Sequence, residues 1–288
     1  MKRKAIQLAG KTLLVSLPRA FVEKYHIQKG QDLFLSEEKD TIIVSGKGQA
    51  ESKQATITAD EGFDSRTISF LYQQGYDEIT VQYSSSLAFQ GIREKVEKLM
   101  GFEIVYQGEK LCVIKNISSE KEEAFDAIFE RTWHIINNLA KDCKIALEQK
   151  ECARLNDLSL LEDTINKLTD FCKRIINKHA RSVYEYVVVR DLEKIGDALH
   201  RICTLDFKKE HKSLTKETMQ YFTSTLALLQ ETQSLFFKQS DENLRSYLVK
   251  RDEHKKLYPT LNSITHELLV ISEHLHEMHG SAMMLQQK

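Results

Sequence analysis

Apolar residues follow two different spacings along the chain of 288 residues. Before Ser118, short apolar runs alternate with polar or glycine-containing turns, which is typical of strands and short helices. From Ser118 onward, apolar residues recur at helical spacing and glycine is scarce, which indicates long helices. The pattern therefore predicts a multidomain, predominantly α fold with strands in its N-terminal part.

The first predicted domain, residues 1–46, consists of short strands around one short helix that begins at Pro18. The predicted strands are Ala5–Leu8, Leu13–Leu17, Asp32–Ser36 and Thr41–Ser45. Elements this short bury too little apolar surface to be stable alone. We therefore expect this domain to form a dimer or to be covered by the rest of the chain.

Basic residues are unevenly distributed. The net charge of the whole chain is −1, whereas the first 30 residues carry seven basic side chains against one acidic side chain, a balance of +6. These side chains are Lys2, Arg3, Lys4, Lys11, Arg19, Lys24 and Lys29, opposed by Glu23. Such a cluster on a strand-rich dimer is typical of a surface that contacts DNA phosphates, although lysine clusters are also common on surfaces that bind nothing.

The segment Lys11–Ser45 resembles the AbrB/SpoVT family of swapped-hairpin DNA-binding domains. The shared features are a strand that ends in a proline, a short helix, an I-x-K-G turn and a closing hairpin. The sequence departs from the family at Gly30–Gln31–Asp32, where the family usually has Gly-Asp. The resemblance implies that two chains interleave as a homodimer and present basic residues to double-stranded DNA. The resemblance does not fix the individual contacts; by position, we expect Arg3, Lys4, Lys11 and Arg19 to face the DNA.

A polar, glycine-containing linker at Ser45–Lys53 precedes the second predicted domain, residues 54–116. The pattern here predicts a small α/β domain of βαβαββ order. Its predicted sheet core is Ile79, Val81, Ile104, Val105 and Val113. The sequence of this domain contains no phosphate loop, nucleophile elbow or metal-ligand spacing, so we expect it to be a spacer or a dimer contact.

The third predicted domain, residues 119–282, contains six helices with short connections. They lie at about 119–150, 158–179, 183–208, 214–238, 240–257 and 260–279. Such a set predicts two three-helix bundles or one elongated bundle. A faint repeat at an offset of 83 residues places Val188 over Ile271 and Leu192 over Leu275, which favours two bundles.

The cysteines and the hydropathy bear on location. The five cysteines are dispersed and form no CxxC pair, which indicates reduced thiols in a cytoplasmic protein. No apolar run approaches the roughly 20 residues that a membrane-spanning helix needs, so we expect no membrane insertion.

Two carboxylates, Glu193 and Asp197, lie four residues apart on one face of the third predicted helix. Like charges at this spacing destabilise a helix by about 0.2–0.5 kcal/mol, so flanking or bound cations should offset them. Spacing alone favours a salt ladder with Arg190 and Arg201. Between the carboxylates lies Gly196, which costs about 1 kcal/mol in a helix and therefore indicates close packing.

Histidines supply the other candidate ligands. Asp197-x-x-His200 and Glu273-x-x-His276 resemble the carboxylate–histidine pairs with which helical bundles hold two metal ions. Four of the ten histidines lie near the C-terminus, namely His266, His274, His276 and His279. Histidines in the last turns of a helix are also common as exposed residues that interact with the helix dipole.

The stretch Val187–Ile202, VVVRDLEKIGDALHRI, resembles the signature of the PhoU family of phosphate-signalling proteins. The match is closest at Leu192–Asp197, LEKIGD, where the family has LERIGD. The resemblance implies two three-helix bundles and a multinuclear iron or zinc cluster. In the second repeat, His276 replaces the family's first carboxylate and Gly280 its aspartate, which leaves that half altered. The implied metal ligands are Glu193, Asp197 and His276.

An AbrB-like head on a PhoU-like body resembles archaeal phosphate-uptake regulators. The resemblance implies a DNA-binding, non-enzymatic transcriptional regulator of phosphate uptake whose helical body senses phosphate, a metal, or a transporter or kinase partner. Two alternatives remain open. One is a di-metal helical-bundle enzyme that uses Asp197, His200, Glu273 and His276; the other is a dimeric signalling adaptor that does not bind DNA.

Overall fold

The structure is a computed structural model. It describes residues 3–8, 10–24, 26–38, 41–45, 52–118, 122–205, 214–238, 240–257 and 259–286. The chain divides into two compact units, Met1–Ser52 and Lys53–Lys288. Most of the predicted linker at Ser45–Lys53 lies outside the described residues.

The N-terminal unit contains two antiparallel two-stranded sheets and one short helix. Its elements are β1 (Ile6–Leu8), β2 (Thr12–Leu14), α1 (Arg19–Lys24), β3 (Phe34–Glu38) and β4 (Thr41–Ser45). β1 pairs with β2, and β3 pairs with β4. The turns use left-handed backbone at Gly10 (φ 93°) and Gly30 (φ 84°), where glycine avoids the steric cost of a side chain.

Apolar side chains of this unit face solvent. Leu13, Leu35 and Ile42 are 67%, 69% and 68% exposed. None of the side chains described in the unit is buried. Within its described part, the unit therefore has no hydrophobic core of its own.

The second unit begins with a four-stranded sheet of order β5-β6-β8-β7. Its elements are β5 (Gln54–Ala59), α2 (Arg66–Gln73), β6 (Glu78–Tyr83), α3 (Ser86–Glu97), β7 (Phe102–Gln107) and β8 (Leu111–Asn116). This is the predicted βαβαββ order. Ile79 and Val81 are buried as expected, but Val105 is 49% exposed because it follows the half-buried Ile104, and adjacent residues of a strand point to opposite faces.

Long helices follow, and they make the described chain predominantly helical. They are α4 (Ala124–Gln149), α5 (Cys152–Ser159), α6 (Leu161–Lys178), α7 (Val183–Cys203), α8 (Lys216–Phe237), α9 (Asp241–His254) and α10 (Ser263–Gln286). Helices α4, α6 and α7 pack together, α8 packs against α9 and α10, and α7 packs along α10. The single helix predicted at 158–179 is instead two helices that meet at the exposed Leu160. None of the helices described here has the length and apolarity of a membrane span.

Arg174 ties the sheet to the helices. Its side chain is fully buried and donates hydrogen bonds to the backbone oxygens of Tyr72 and Tyr76 and to Asp77 Oδ1. Its guanidinium carbon lies 4.9 Å from the centre of the Tyr72 ring. Helix α6 is thereby fastened to α2 and to the start of β6.

Candidate functional site

Helix α7 carries the predicted ligand pair. The helix begins after Ser182, whose side chain accepts a hydrogen bond from the backbone N–H of Tyr184. The predicted apolar seam is buried throughout: Val188, Leu192, Ile195, Leu199 and Ile202. Glu193 and Asp197 lie beside this seam, with side chains 23% and 24% exposed.

Glu193 belongs to a charge network that joins three helices. Its carboxylate accepts a hydrogen bond from Lys173 of α6, whose ammonium nitrogen also lies 3.5 Å from Asp170 Oδ1. Asp170 in turn accepts a 2.8 Å hydrogen bond from Gln73 at the end of α2. Burial raises the pKa of Asp170 to about 6, and the neighbouring Glu193 carboxylate adds to the rise while Lys173 opposes it.

Asp197 pairs with Lys194, whose Nζ lies 2.8 Å from its carboxylate. The two carboxylates are therefore paired with lysines, whereas Arg190 and Arg201 were the predicted partners. Those two arginines bond elsewhere: Arg190 to Asp191, and Arg201 to Glu267 of α10 at 2.8 Å. Nearby cations offset the two negative charges, as expected, but these cations are not the predicted arginines.

His276 lies in a different environment, on α10. Its ring centre is 6.0 Å from that of His254, and its Nε2 is buried without a hydrogen-bond partner. Burial, together with the positive charges of Lys255 and Arg251, lowers the pKa of His276. Within the described residues, His276 does not converge with Glu193 or Asp197 into a group of potential metal ligands.

The residues of the di-metal alternative likewise have separate surroundings. His200 Nδ1 lies 3.0 Å from the backbone oxygen of Ser159, whereas Glu273 is exposed on α10. The structure describes one group of three potential ligands, and it includes none of Asp197, His200, Glu273 or His276.

That group consists of Asp191, His274 and Glu277. One potential ligand atom from each side chain lies within 4.8 Å of those of the other two. His274 and Glu277 are three residues apart on α10, and Asp191 approaches them from α7. Sequence analysis identified only His274, as part of the histidine cluster; the spacing His-x-x-Glu was the one local signal for Glu277.

The predicted DNA-contacting residues all belong to the N-terminal unit and are all exposed: Arg3, Lys4, Lys11 and Arg19. Arg19 is 89% exposed and makes a 2.8 Å ion pair with Glu23, four residues later on α1. Exposed pairs of this kind contribute little to stability, so Arg19 can exchange this partner for a phosphate.

Comparison with known proteins gave no match among family models, curated proteins or solved structures.

Proposed function

We propose that this protein is a DNA-binding transcriptional regulator of phosphate uptake that acts in the cytoplasm as a homodimer. One observation carries the proposal: the N-terminal unit combines an uncovered apolar surface with an exposed basic cluster. The apolar surface would be buried by a second copy of the chain, and the basic cluster suits a polyanion.

The apolar surface is extensive for so small a unit. The exposed large apolar side chains are Ile6, Leu8, Leu13, Leu14, Val15, Leu35 and Ile42. Full burial of a Val, Leu or Ile side chain contributes about 1.5–3 kcal/mol. Interleaving the hairpins of two chains would bury these side chains and build the missing core, as the AbrB/SpoVT resemblance implies.

The basic cluster supplies the contact to DNA. Arg3, Lys4, Lys11 and Arg19 present their charges to solvent, and a homodimer would carry two copies of each. Cations that bind phosphates release condensed counterions, which gives affinity that falls steeply with salt. The acidic balance of the rest of the chain leaves this cluster as the region suited to DNA.

The helical body is the proposed sensor. The PhoU-like segment Leu192–Asp197 supports a role in the regulation of phosphate uptake. Within this segment, Glu193 accepts a hydrogen bond from Lys173. The next residue along α6 is Arg174, which holds the sheet. A ligand that displaced Lys173 from Glu193 would therefore act one residue away from the contact between the helices and the sheet. The ligand could be a metal, phosphate, or a transporter or kinase partner.

The proposal is tested by sequencing the genomic DNA fragments that the purified full-length chain retains. We expect enrichment of fragments that lie upstream of phosphate-transport genes. The matched control is the variant with Arg3→Ala, Lys4→Ala, Lys11→Ala and Arg19→Ala, which should lose the enrichment. Equal profiles for the two proteins, or no enrichment, would contradict DNA binding and favour the dimeric adaptor; enrichment upstream of unrelated genes would contradict the phosphate pathway.

A further inference from the structure

We propose that Asp191, His274 and Glu277 form a divalent transition-metal site that joins the two helical bundles. The site differs from the ligand set Glu193, Asp197 and His276 that the PhoU resemblance implies. It also stands independently of the proposed function, because it follows from the contact between α7 and α10 alone.

The three side chains converge from two helices. Asp191 Oδ1 lies 3.2 Å from His274 Nδ1. Tetrahedral ligands about 2.0–2.2 Å from a metal are separated from each other by about 3.4 Å, so the imidazole and the Asp191 carboxylate lie close enough to bind one ion. The Glu277 side chain is 66% exposed, so it has room to rotate toward the other two.

Two buried polar atoms in the group lack hydrogen bonds. The Asp191 side chain is fully buried; Oδ1 accepts two hydrogen bonds from Arg190, at 3.0 and 2.6 Å, whereas Oδ2 has no partner. His274 Nδ1 is also buried, and despite its closeness to Asp191 it makes no hydrogen bond. A buried polar group without a partner is costly, and a cation bound to both would remove that cost.

The local charges favour a bound divalent cation. Asp191 and Glu277 contribute two negative charges, and Arg190 contributes one positive charge, with its Nη2 4.0 Å from Glu277 Oε2. Arg190 holds Oδ1 of Asp191 and leaves Oδ2 available. A metal can therefore bind without displacing the arginine.

The ligand chemistry selects the class of metal. One imidazole nitrogen with two carboxylates suits Zn²⁺, Fe²⁺, Mn²⁺ or Co²⁺, whereas Ca²⁺ and Mg²⁺ prefer oxygen ligands throughout. Water would complete the coordination. Because Asp191 belongs to one bundle and the other two ligands to the next, the bound metal would stabilise the contact between the bundles.

The experiment is a calorimetric titration of metal-stripped, full-length protein with zinc chloride, with the thermal midpoint followed in parallel. We expect about one zinc ion per chain and a rise in midpoint. Asp191→Asn, His274→Asn and Glu277→Gln should each weaken binding by at least about tenfold. Glu273→Gln, which changes an exposed carboxylate on the same helix, should bind as the wild type does.

A double variant, Glu193→Gln with Asp197→Asn, separates the two ligand sets. Wild-type zinc affinity in this variant supports the site described here. The proposal is overturned if the double variant loses zinc while Asp191→Asn retains it, or if the wild-type chain binds none. Glu277→Gln alters an exposed side chain, so unchanged binding in that variant cannot be attributed to misfolding and also counts against the site.

Discussion

Gly196 and Gly280 are the two glycines of the helical region, and their surroundings differ. A Cβ at Gly196 would lie 2.9 Å from Ile165 Cγ2 of α6, whereas a Cβ at Gly280 would have nothing within 4 Å. Close packing was expected at Gly196 because glycine in the middle of a helix costs about 1 kcal/mol. The contact explains why α7 carries a helix-weakening residue in its middle.

Gly196→Ala is expected to lower the free energy of unfolding by about 1 kcal/mol. Overpacking costs about 1–3 kcal/mol, which exceeds the gain of about 1 kcal/mol in helix propensity. Gly280→Ala meets no such contact and should raise stability by about 0.5–1 kcal/mol. Urea unfolding monitored by circular dichroism checks both; two stabilising substitutions would contradict close packing at Gly196.

His254 is the centre of a buried polar network in the second bundle. Its Nδ1 lies 2.9 Å from Ser224 Oγ, and its Nε2 lies 3.0 Å from Tyr221 Oη and 2.9 Å from Ser272 Oγ. Burial, with a smaller contribution from His276, lowers the pKa of His254 to about 4. The fold therefore holds this histidine neutral.

Stability should fall in acid because of His254. The unfolded chain takes up the proton near pH 6.5 and the folded chain only near pH 4, so the stabilisation is complete above pH 6.5 and is lost as pH falls toward 4. We expect a loss of about 2 kcal/mol between pH 7 and pH 5 from this residue. His254→Gln should reduce the loss in urea unfolding, whereas the exposed His134→Gln should not; equal pH dependence in all three proteins would contradict the assignment.

Among individual residues, the sequence predicted those features that depend on neighbours within the same helix. The cost of a glycine in the middle of a helix predicted the close packing of Gly196. The partner of Glu193 was missed because Lys173 is 20 residues away on another helix. Asp191 was missed for a similar reason: its neighbours His274 and Glu277 come together with it only when α7 and α10 pack.

Arg174 is the fully buried side chain among several of α6 that bond to the α/β region. Arg174 is buried with two backbone oxygens and the Asp77 carboxylate as partners. Lys178 shares Asp77 from one turn later but is 27% exposed. The two basic residues share Asp77 as a partner but differ in burial, which makes them a useful comparison.

Arg174→Met is expected to destabilise the protein by about 3–5 kcal/mol, because it leaves a carboxylate and two carbonyl groups with fewer partners in a buried place. Lys178→Met removes a partly exposed ion pair and should cost about 1 kcal/mol or less. Urea unfolding of both variants measures the difference. Equal and small losses would show that the sheet is held to α6 by other contacts.

The spacing of apolar residues predicted some helices and strands correctly and missed other features. The βαβαββ order and the apolar seam of α7 follow directly from spacing. The seam through Leu158, Leu161 and Ile165 continues in register, so it gave no sign of the break at Leu160. Val105 was expected in the core together with its neighbour Ile104, but alternation along a strand allows only one of two adjacent residues to face the core.

On the scale of the whole molecule, the two units differ in how many of their described side chains are buried. The second unit has a continuous buried core that runs from the sheet through the helices. The first unit buries none of its described side chains. Its strands were predictable from turn residues and alternation, whereas dimerisation stays a prediction that rests on the small size of its elements.

The most direct test of the account is the salt dependence of DNA binding by the full-length chain, measured by fluorescence anisotropy on a fragment from the genomic selection. Each phosphate contact contributes a slope of about −0.9 to log K against log salt, so removing Arg3 and Arg19 from both chains of a dimer should flatten the slope by up to about 3.6. Lys98→Ala with Lys115→Ala removes the same charge from the second unit and should leave the slope unchanged. An Arg3→Ala, Arg19→Ala variant with the affinity and slope of the wild type would contradict the assignment of DNA binding to the N-terminal unit.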